Sequence, residues 1–280
     1  MKNPTFNSII GQHTAKVILK NAISSNKIAP VYLFWSNIDG IGKAKTAFAF
    51  TAALVEDENI TNHPDVLVIK PSYPPEGKTF HTPASIRIEE VRTIIKFTST
   101  TAVAAKRKVV ILHEAETLQE KSSNALLKTL EESSNCVFIL ISSHPDKISA
   151  TITSRSFVVP FTRLTPDEVA KVLDSLPEYK QVSQEIIALV NGSPGVAIKH
   201  IKYLQSIPSI VNRLQTPPRS ITTAISLSNE ISSLEFPTQL WLIEYLQYLW
   251  QEKRAKLHLS KQKLLQQVQT RAVWDTALIP

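Results

Sequence analysis

The chain has a single cysteine, Cys136, in 280 residues. A disulfide within the chain is therefore excluded, and so is a structural zinc site built from cysteines. At the head of an apolar run, Cys136 reads as a small core residue. No uninterrupted apolar run approaches the roughly 20 residues that a membrane-spanning helix needs. No apolar core follows Met1-Lys2-Asn3, where a secretory signal would carry one. These absences lead us to expect a soluble, cytoplasmic protein with no membrane partner. Internal repeats and low-complexity tracts are also missing. What is present suits a packed core: 43% apolar and 20% charged residues. The length fits one large domain with one or two small ones. A net charge of +7 and a pI near 9.4 point weakly to a polyanionic partner.

The chain is organised around Phe34 to Ala47, FWSNIDGIGKAKTA. The apolar run Val31 to Trp35 reads as a buried strand, and Ala44 to Leu54 as a helix. Gly40, Gly42 and Lys43 lie between them. Strand, glycine loop, lysine, helix is the context of a phosphate-binding loop. There, backbone N–H groups at a helix N-terminus form an anion nest and the lysine adds a point charge. Two positions depart from G-x-x-x-x-G-K-[ST]. Asn37 replaces the first glycine, and a left-handed Asn would still allow the bend. Ala44 replaces the Ser/Thr, and a methyl group offers no oxygen to Mg²⁺. Lys45 and Thr46 follow, but one or two residues of slip point side chains elsewhere on a helix. Taken alone, the stretch reads equally well as a glycine-rich turn with no ligand.

A second absence matches the first. The apolar strand Val109 to Leu112 ends in His113-Glu114. A strand ending in Asp-Glu would hold Mg²⁺ on the Asp and polarise water with the Glu. His113 stands at the metal position, and a neutral imidazole is a poor ligand for a hard, oxygen-preferring cation. Glu114 remains, without a metal beside it. Ala44 and His113 together argue against hydrolysis more strongly than either alone.

Elsewhere, strands at Val66–Ile69, Cys136–Ser142 and Phe157–Val159 alternate with helical patterns. That alternation implies a parallel sheet with helices on both faces. An N-terminal helix places Ala15, Ile18, Leu19, Ala22 and Ile23 on one side. Ile86 to Phe97 is read as a helix capped by Ser85, with Ile88, Val91, Ile94 and Ile95 inward. His63, before a proline, reads as a turn residue, Pro71 to Pro83 as a loop, and Lys106-Arg107-Lys108 as a solvated strand entry. SSNALLKTLEE, Ser122 to Glu132, is amphipathic. Thr165-Pro166-Asp167-Glu168 is a capping box that opens a helical region. Helices are expected at 166–175, 182–191 and 194–204. The proline-marked stretch 205–220 reads as a boundary. Residues 221–280 read as helical, with Leu240, Ile243, Leu246 and Leu249/Trp250 as the apolar stripe of a bundle and Trp241, Tyr245 and Tyr248 adding aromatic bulk. Lys253, Arg254, Lys256, Lys261 and Lys263 read as a solvated face.

Four segments together resemble the clamp-loader branch of AAA+ proteins. They are Phe6-Asn7-Ser8-Ile9-Ile10-Gly11-Gln12, the phosphate-loop remnant, Asn124 to Glu132 (NALLKTLEE) and Thr153-Ser154-Arg155-Ser156. The likeness covers about residues 5–200. Within that branch, Ala44 and His113 resemble the delta-prime subunits of bacterial DNA polymerase III, whose nucleotide site is degraded, more than the ATPase gamma/tau subunits. The resemblance implies an α/β AAA+ core of P-loop type at 1–161, a helical lid at 162–204 and an all-α collar at 205–280. It implies a subunit that is not an enzyme on its own but part of a complex with DNA-directed DNA polymerase activity. It also implies gamma/tau ATPase and delta subunits as partners, with primer–template DNA reached through the complex. Arg155 would act in trans as an arginine finger. Asn37, Gly40, Gly42, Lys43, Ala44, His113 and Glu114 would be a nucleotide-site remnant without a metal. No cofactor is implied, and residual ATP binding at Lys43 stays open. The family's four-cysteine zinc module is replaced by the short link 55–62. After the Gly192-Ser193 turn, Val196 stands where ATPase relatives carry a basic residue. Two other readings stay open: a Mg-dependent ATPase of the gamma/tau kind with unusual ligands, and a DNA-binding module.

Overall fold

The computed structural model describes residues 6–72, 84–133, 135–179, 184–214, 220–235, 238–239, 241–247 and 249–250. The chain divides into two compact units, Met1–His200 and Ile201–Pro280.

The first unit is built on a five-stranded sheet. Its strands are β1 (Val31–Trp35), β2 (Val66–Ile69), β3 (Lys108–Leu112), β4 (Cys136–Ser142) and β5 (Phe157–Pro160). Their spatial order is β2-β3-β4-β1-β5, and every pairing is parallel. β3 and β4 are buried along their whole length, so they read as unbroken apolar runs rather than alternating ones. β2 lies at an edge, and only Ile69 of its four residues is fully buried.

Side chains of β1 separate onto two faces, as the pleat requires. Tyr32 and Phe34 meet Phe50 of α2 (Lys43–Val55), with ring centroids 5.1 and 6.5 Å apart. Val31 and Leu33 join Val110, Leu112, Phe138 and Leu140 on the other face. That face is covered by Val91 and Ile94 of α3 (Ile88–Thr98) and by Leu126 and Leu130 of α4 (Glu120–Glu132). Helices α1 (His13–Ser24) and α5 (Ala150–Ser154) complete the sheet region. α6 (Pro166–Asp174), α7 (Gln184–Leu189) and α8 (Pro194–Ser206) follow. The Thr165–Glu168 capping box forms in both directions. Glu168 N–H donates to Thr165 Oγ1 at 3.3 Å, and Thr165 N–H donates to Glu168 Oε2 at 2.9 Å.

Several local expectations need correction. Arg87, not Ser85, precedes α3; Ser85 is paired with Ser72 in an isolated bridge instead. Ile95 faces outward, 39% exposed. Lys108 is not solvated. Its ammonium is drawn inside to donate to Phe97 O at 2.7 Å and to Thr100 Oγ1, so its stem packs in the strand. The 205–220 stretch contains α9 (Pro208–Leu214), whose Ile210, Val211 and Leu214 are buried. They pack with Leu227 of α10 (Ile221–Ser232) and with Trp241 and Leu242 in the core of the second unit. In the C-terminal stripe, Leu246 packs on this core and Trp241 is buried, with Tyr203, Trp241 and Tyr245 stacked in series, but Leu242 is buried and Ile243 is 53% exposed. The five basic residues from Lys253 to Lys263, Leu240 and most of the 71–83 loop lie outside the described residues.

One buried carboxylate organises the entry to β3. Asp65 is fully buried and accepts from the N–H groups of Val103, Ala104 and Ala105 at 2.7–2.8 Å. His63 fixes the same turn by accepting from Asp65 N–H at 3.1 Å through Nδ1. Burial alone would raise the Asp65 pKa. The three backbone donors, helped by nearby His63, outweigh burial and hold it below the usual carboxylate range. A depressed folded pKa stabilises above the unfolded value of about 3.9, and that stability is lost as pH falls through the folded pKa. Asp65→Ala is expected to cost about 1–3 kcal/mol at neutral pH by removing the shared acceptor of three part-buried N–H groups. It should also flatten the acid side of the stability profile, as urea titrations across pH would measure.

Candidate functional site

All strands are parallel, so the segments leaving β1, β3 and β4 emerge together at the carboxyl edge of the sheet. Ligand sites of open α/β sheets form there. β1 leads into the Asn37–Gly42 loop, β3 into His113-Glu114, and β4 into Ser143. Asn37, Gly40, Gly42, Lys43, Ala44, His113 and Glu114 therefore belong to one edge. The loop's positive φ angles fall at Gly40 (69°) and Gly42 (98°), and Asn37 is not left-handed. The glycines alone make the bend.

Lys43 is 4% exposed. Its Nζ donates to Ile38 O at 2.6 Å and to Ser143 Oγ at 2.9 Å. Ser143 Oγ in turn donates to an Asp39 carboxylate oxygen, and Ser143 N–H donates to Glu116 Oε1 at 3.1 Å. Burial lowers the Lys43 pKa, while the charges of Asp39 and Glu116 oppose that shift. The lysine is thus bound within the loop's own network and partly balanced by acids. Thr46 cannot stand in for the missing hydroxyl at Ala44. It is fully buried, and its Oγ1 donates to Gly42 O at 2.9 Å.

His113 packs against Phe48 with ring centroids 5.7 Å apart, and its Nε2 is buried without a partner among the described residues. Burial, and then the charge of Lys70, lower its pKa, so the ring is neutral at physiological pH. Glu114, in a left-handed turn at φ 49°, has its pKa raised by burial first and then by Asp39 and Glu116. The edge therefore offers Mg²⁺ no oxygen ligand at position 44 or 113. The acids Asp39, Glu114 and Glu116 lie close enough to Lys43 or to one another to shift the Lys43 and Glu114 pKa values.

The loop is also clasped from outside. Gly195, at the start of α8, donates its N–H to Gly40 O at 2.9 Å. Ser193 Oγ donates to Asp39 O at 2.6 Å and accepts from Val196 N–H at 3.2 Å. The two backbones are so close that a Cβ on Gly195 would lie 2.5 Å from Gly40 Cα. A Cβ on Gly40 would lie 2.7 Å from Gly195 Cα. Gln12 ties the next position down. Its Nε2 donates to Ile41 O at 3.0 Å and Thr162 O at 2.7 Å, while its Oε1 accepts from Thr162 N–H at 3.0 Å.

Arg155 stands apart from this group. It caps the C-terminus of α5 and precedes β5, so it lies at the amino edge of the sheet. A five-residue strand separates the two edges by about 16 Å. The Arg155 side chain is 44% exposed, and among the described residues its polar contacts are Glu131 and Thr151, with none to the loop.

The family described as DNA polymerase III, delta subunit, matches residues 11–165, more than half of the chain. The chain belongs to this family. A second family description, cyanobacterial DNA polymerase III delta prime, C-terminal domain, matches residues 167–280. The delta' subunit of DNA polymerase III from Pseudomonas aeruginosa is 34% identical over 137 residues, 47% of this chain and 39% of that protein. The tau subunit from Bacillus subtilis is 30% identical over 195 residues, 64% of this chain and 33% of that protein. The chain thus spans between a third and two fifths of the length of these relatives. A RuvB mutant structure from Thermotoga maritima superposes with a TM-score of 0.51 at 15% identity, over 75% of this chain and 67% of that one. The fold is the AAA+ parallel-sheet core followed by helices, the class that the sequence resemblance implied.

For this delta family member, sequence reading did not single out Asp39, Ser143, Glu116, Ser193, Gly195 or Gln12 as site residues. Gln12 closes one of the resembling segments and Ser193 belongs to the turn before Val196, and two more carried a signal of their own. Asp39 puts an acid inside a phosphate-type loop, and Ser143 directly follows the central strand. The clasp between Gly40 and Gly195 requires both backbones to lack side chains, so Gly195→Ala must push the helix and loop apart. Its expected cost is about 1–3 kcal/mol, typical of overpacking. Chemical denaturation should show it as a lowered midpoint with an unchanged slope.

Proposed function

We propose that this chain is a non-catalytic delta-prime subunit of a clamp loader and supplies Arg155 to the nucleotide site of a neighbouring ATPase subunit. The observation that carries the reading is the exposed Arg155 guanidinium at the sheet edge opposite the chain's own loop. From there it cannot serve the cis site, but it is open to a neighbour. A planar cation placed near a γ-phosphate stabilises transition-state charge, and such fingers are worth about 10³–10⁵ in rate. Three features of the cis site support the non-catalytic half of the reading. Ala44 and His113 lack metal-binding oxygens, Lys43 is engaged internally, and Ser193 and Gly195 clasp the loop.

In this reading residues 1–161 form the core, 162–204 the lid and 205–280 a collar that assembles with other subunits. The partners are gamma/tau-type ATPase subunits and a delta subunit, and together they place a sliding clamp on primed DNA in the cytoplasm. The chain itself needs neither zinc nor another cofactor.

Arg155→Ala should fold like the parent chain and assemble. The reconstituted complex should then lose DNA-stimulated ATP turnover by at least about tenfold, since most of the finger's effect on rate is removed. Unchanged turnover would refute the finger assignment. Separately, the isolated chain titrated with ATP and Mg²⁺ should show no turnover. Mg-dependent turnover abolished by Lys43→Ala would instead make it a motor subunit.

A further inference from the structure

We propose that Glu131 is a positioning residue for Arg155. It holds the guanidinium so that its outer edge faces away from the chain's own surface. This inference rests on the reading of Arg155 as a finger acting on a neighbouring subunit.

The observation is a pair of contacts that fixes the guanidinium from two sides. Arg155 Nε lies 2.6 Å from Glu131 Oε1, and Nη1 donates to Thr151 O at 3.1 Å. Those contacts use Nε–H and one Nη1 hydrogen, on opposite sides of the planar group. Among the described residues nothing else bonds the guanidinium, so Nη2 and the second Nη1 hydrogen remain as the end-on fork that pairs with phosphate oxygens. The two anchors come from different places. Thr151 belongs to the short helix α5, which Arg155 itself caps. Glu131 belongs to α4, whose Leu126, Thr129 and Leu130 are buried against the sheet. Glu131 therefore refers the arginine to the rigid core, whereas Thr151 refers it only to its own turn.

Stability does not explain this pair. The side chains are 44% and 50% exposed, and exposed ion pairs contribute little to folding. Orientation is what the contact supplies. A long side chain free in solvent samples many rotamers, and only some present the fork outward. Holding it in one of them removes an ordering cost that would otherwise fall on the engagement step. The neighbouring Glu132 is paired differently, with Lys128 at 3.9 Å one turn earlier on the same helix. The two adjacent glutamates thus have separate tasks, one within the helix and one across to Arg155.

The test uses the complex reconstituted from the full chain and its cognate ATPase and delta subunits. Steady-state ATP hydrolysis is measured for Glu131→Gln, Glu131→Asp, Arg155→Ala and the double variant Glu131→Gln/Arg155→Ala. Misplacing a catalytic group by about 1 Å costs up to about 100-fold, so Glu131→Gln should lower kcat by about 10–100-fold. The KM for ATP should stay the same, and so should the melting temperature of the isolated chain. Glu131→Asp should recover part of the rate. The double variant should be no slower than Arg155→Ala, because Glu131 acts only through the arginine. Parental turnover in Glu131→Gln, alongside a loss in Arg155→Ala, would overturn this proposal and leave the finger reading standing. A faster Glu131→Gln complex would overturn it too, by making the pair a restraint. So would further slowing in the double variant. Parental turnover in Arg155→Ala would remove the finger reading and this inference with it.

Discussion

Every strand of the sheet runs the same way, and most of what can be said about function follows from that constraint. Parallel strands send all their exits to one edge and all their entries to the other. The loop after β1, the His113 turn after β3 and Ser143 after β4 must converge. The segment entering β5 must lie across the sheet from them, and Arg155 is in that segment. The loop and Arg155 therefore lie at opposite edges of one sheet and cannot meet within the chain. The all-parallel order is stable because β1, β3 and β4 are buried, with Tyr32, Phe34 and Phe50 on one face and Leu126, Leu130 and Ile94 on the other.

At the carboxyl edge, polar groups that would otherwise greet a polyphosphate satisfy one another. Lys43 binds Ile38 O and Ser143, Ser143 binds Asp39, and Asp39 O accepts from Ser193. Buried polar groups need partners, and for Lys43 and Ser143 the protein supplies them itself. That Ala44 and His113 carry no side-chain oxygen and that Lys43 is engaged internally are separate physical facts.

The sheet was legible in the sequence because its central strands are continuous runs of apolar, often β-branched residues: Val109-Val110-Ile111-Leu112 and Cys136 to Ser142 need no tertiary information to be read. The errors came where tertiary packing overrides local pattern. Ile95 and Ile243 fit a helical stripe, yet neighbouring residues won the buried positions. Lys108 looked like part of a solvated run, but Phe97 O and Thr100 gave its ammonium a place inside. Prolines between 205 and 220 suggested a break, but Pro208 starts a helix, where a missing N–H costs nothing. At the candidate site, the position of the bend could be read from Gly40 and Gly42. The loop's closure could not, because Ser193 and Gly195 reach it from far along the chain. The same is true of Glu131, which sits in a motif noticed for its helical pattern and meets Arg155 only through the fold.

The contact between Gly40 and Gly195 has a consequence for how this surface can change. At most packed contacts, a larger side chain on one partner can be accommodated by a smaller one on the other. Two glycines leave no such exchange, because neither residue has anything to give up. Variation at this point can proceed only by moving the backbone of the loop or of α8. The two segments are therefore locked into a shared geometry, so a lineage that reopened the loop would have to reshape the turn at 191–196 as well.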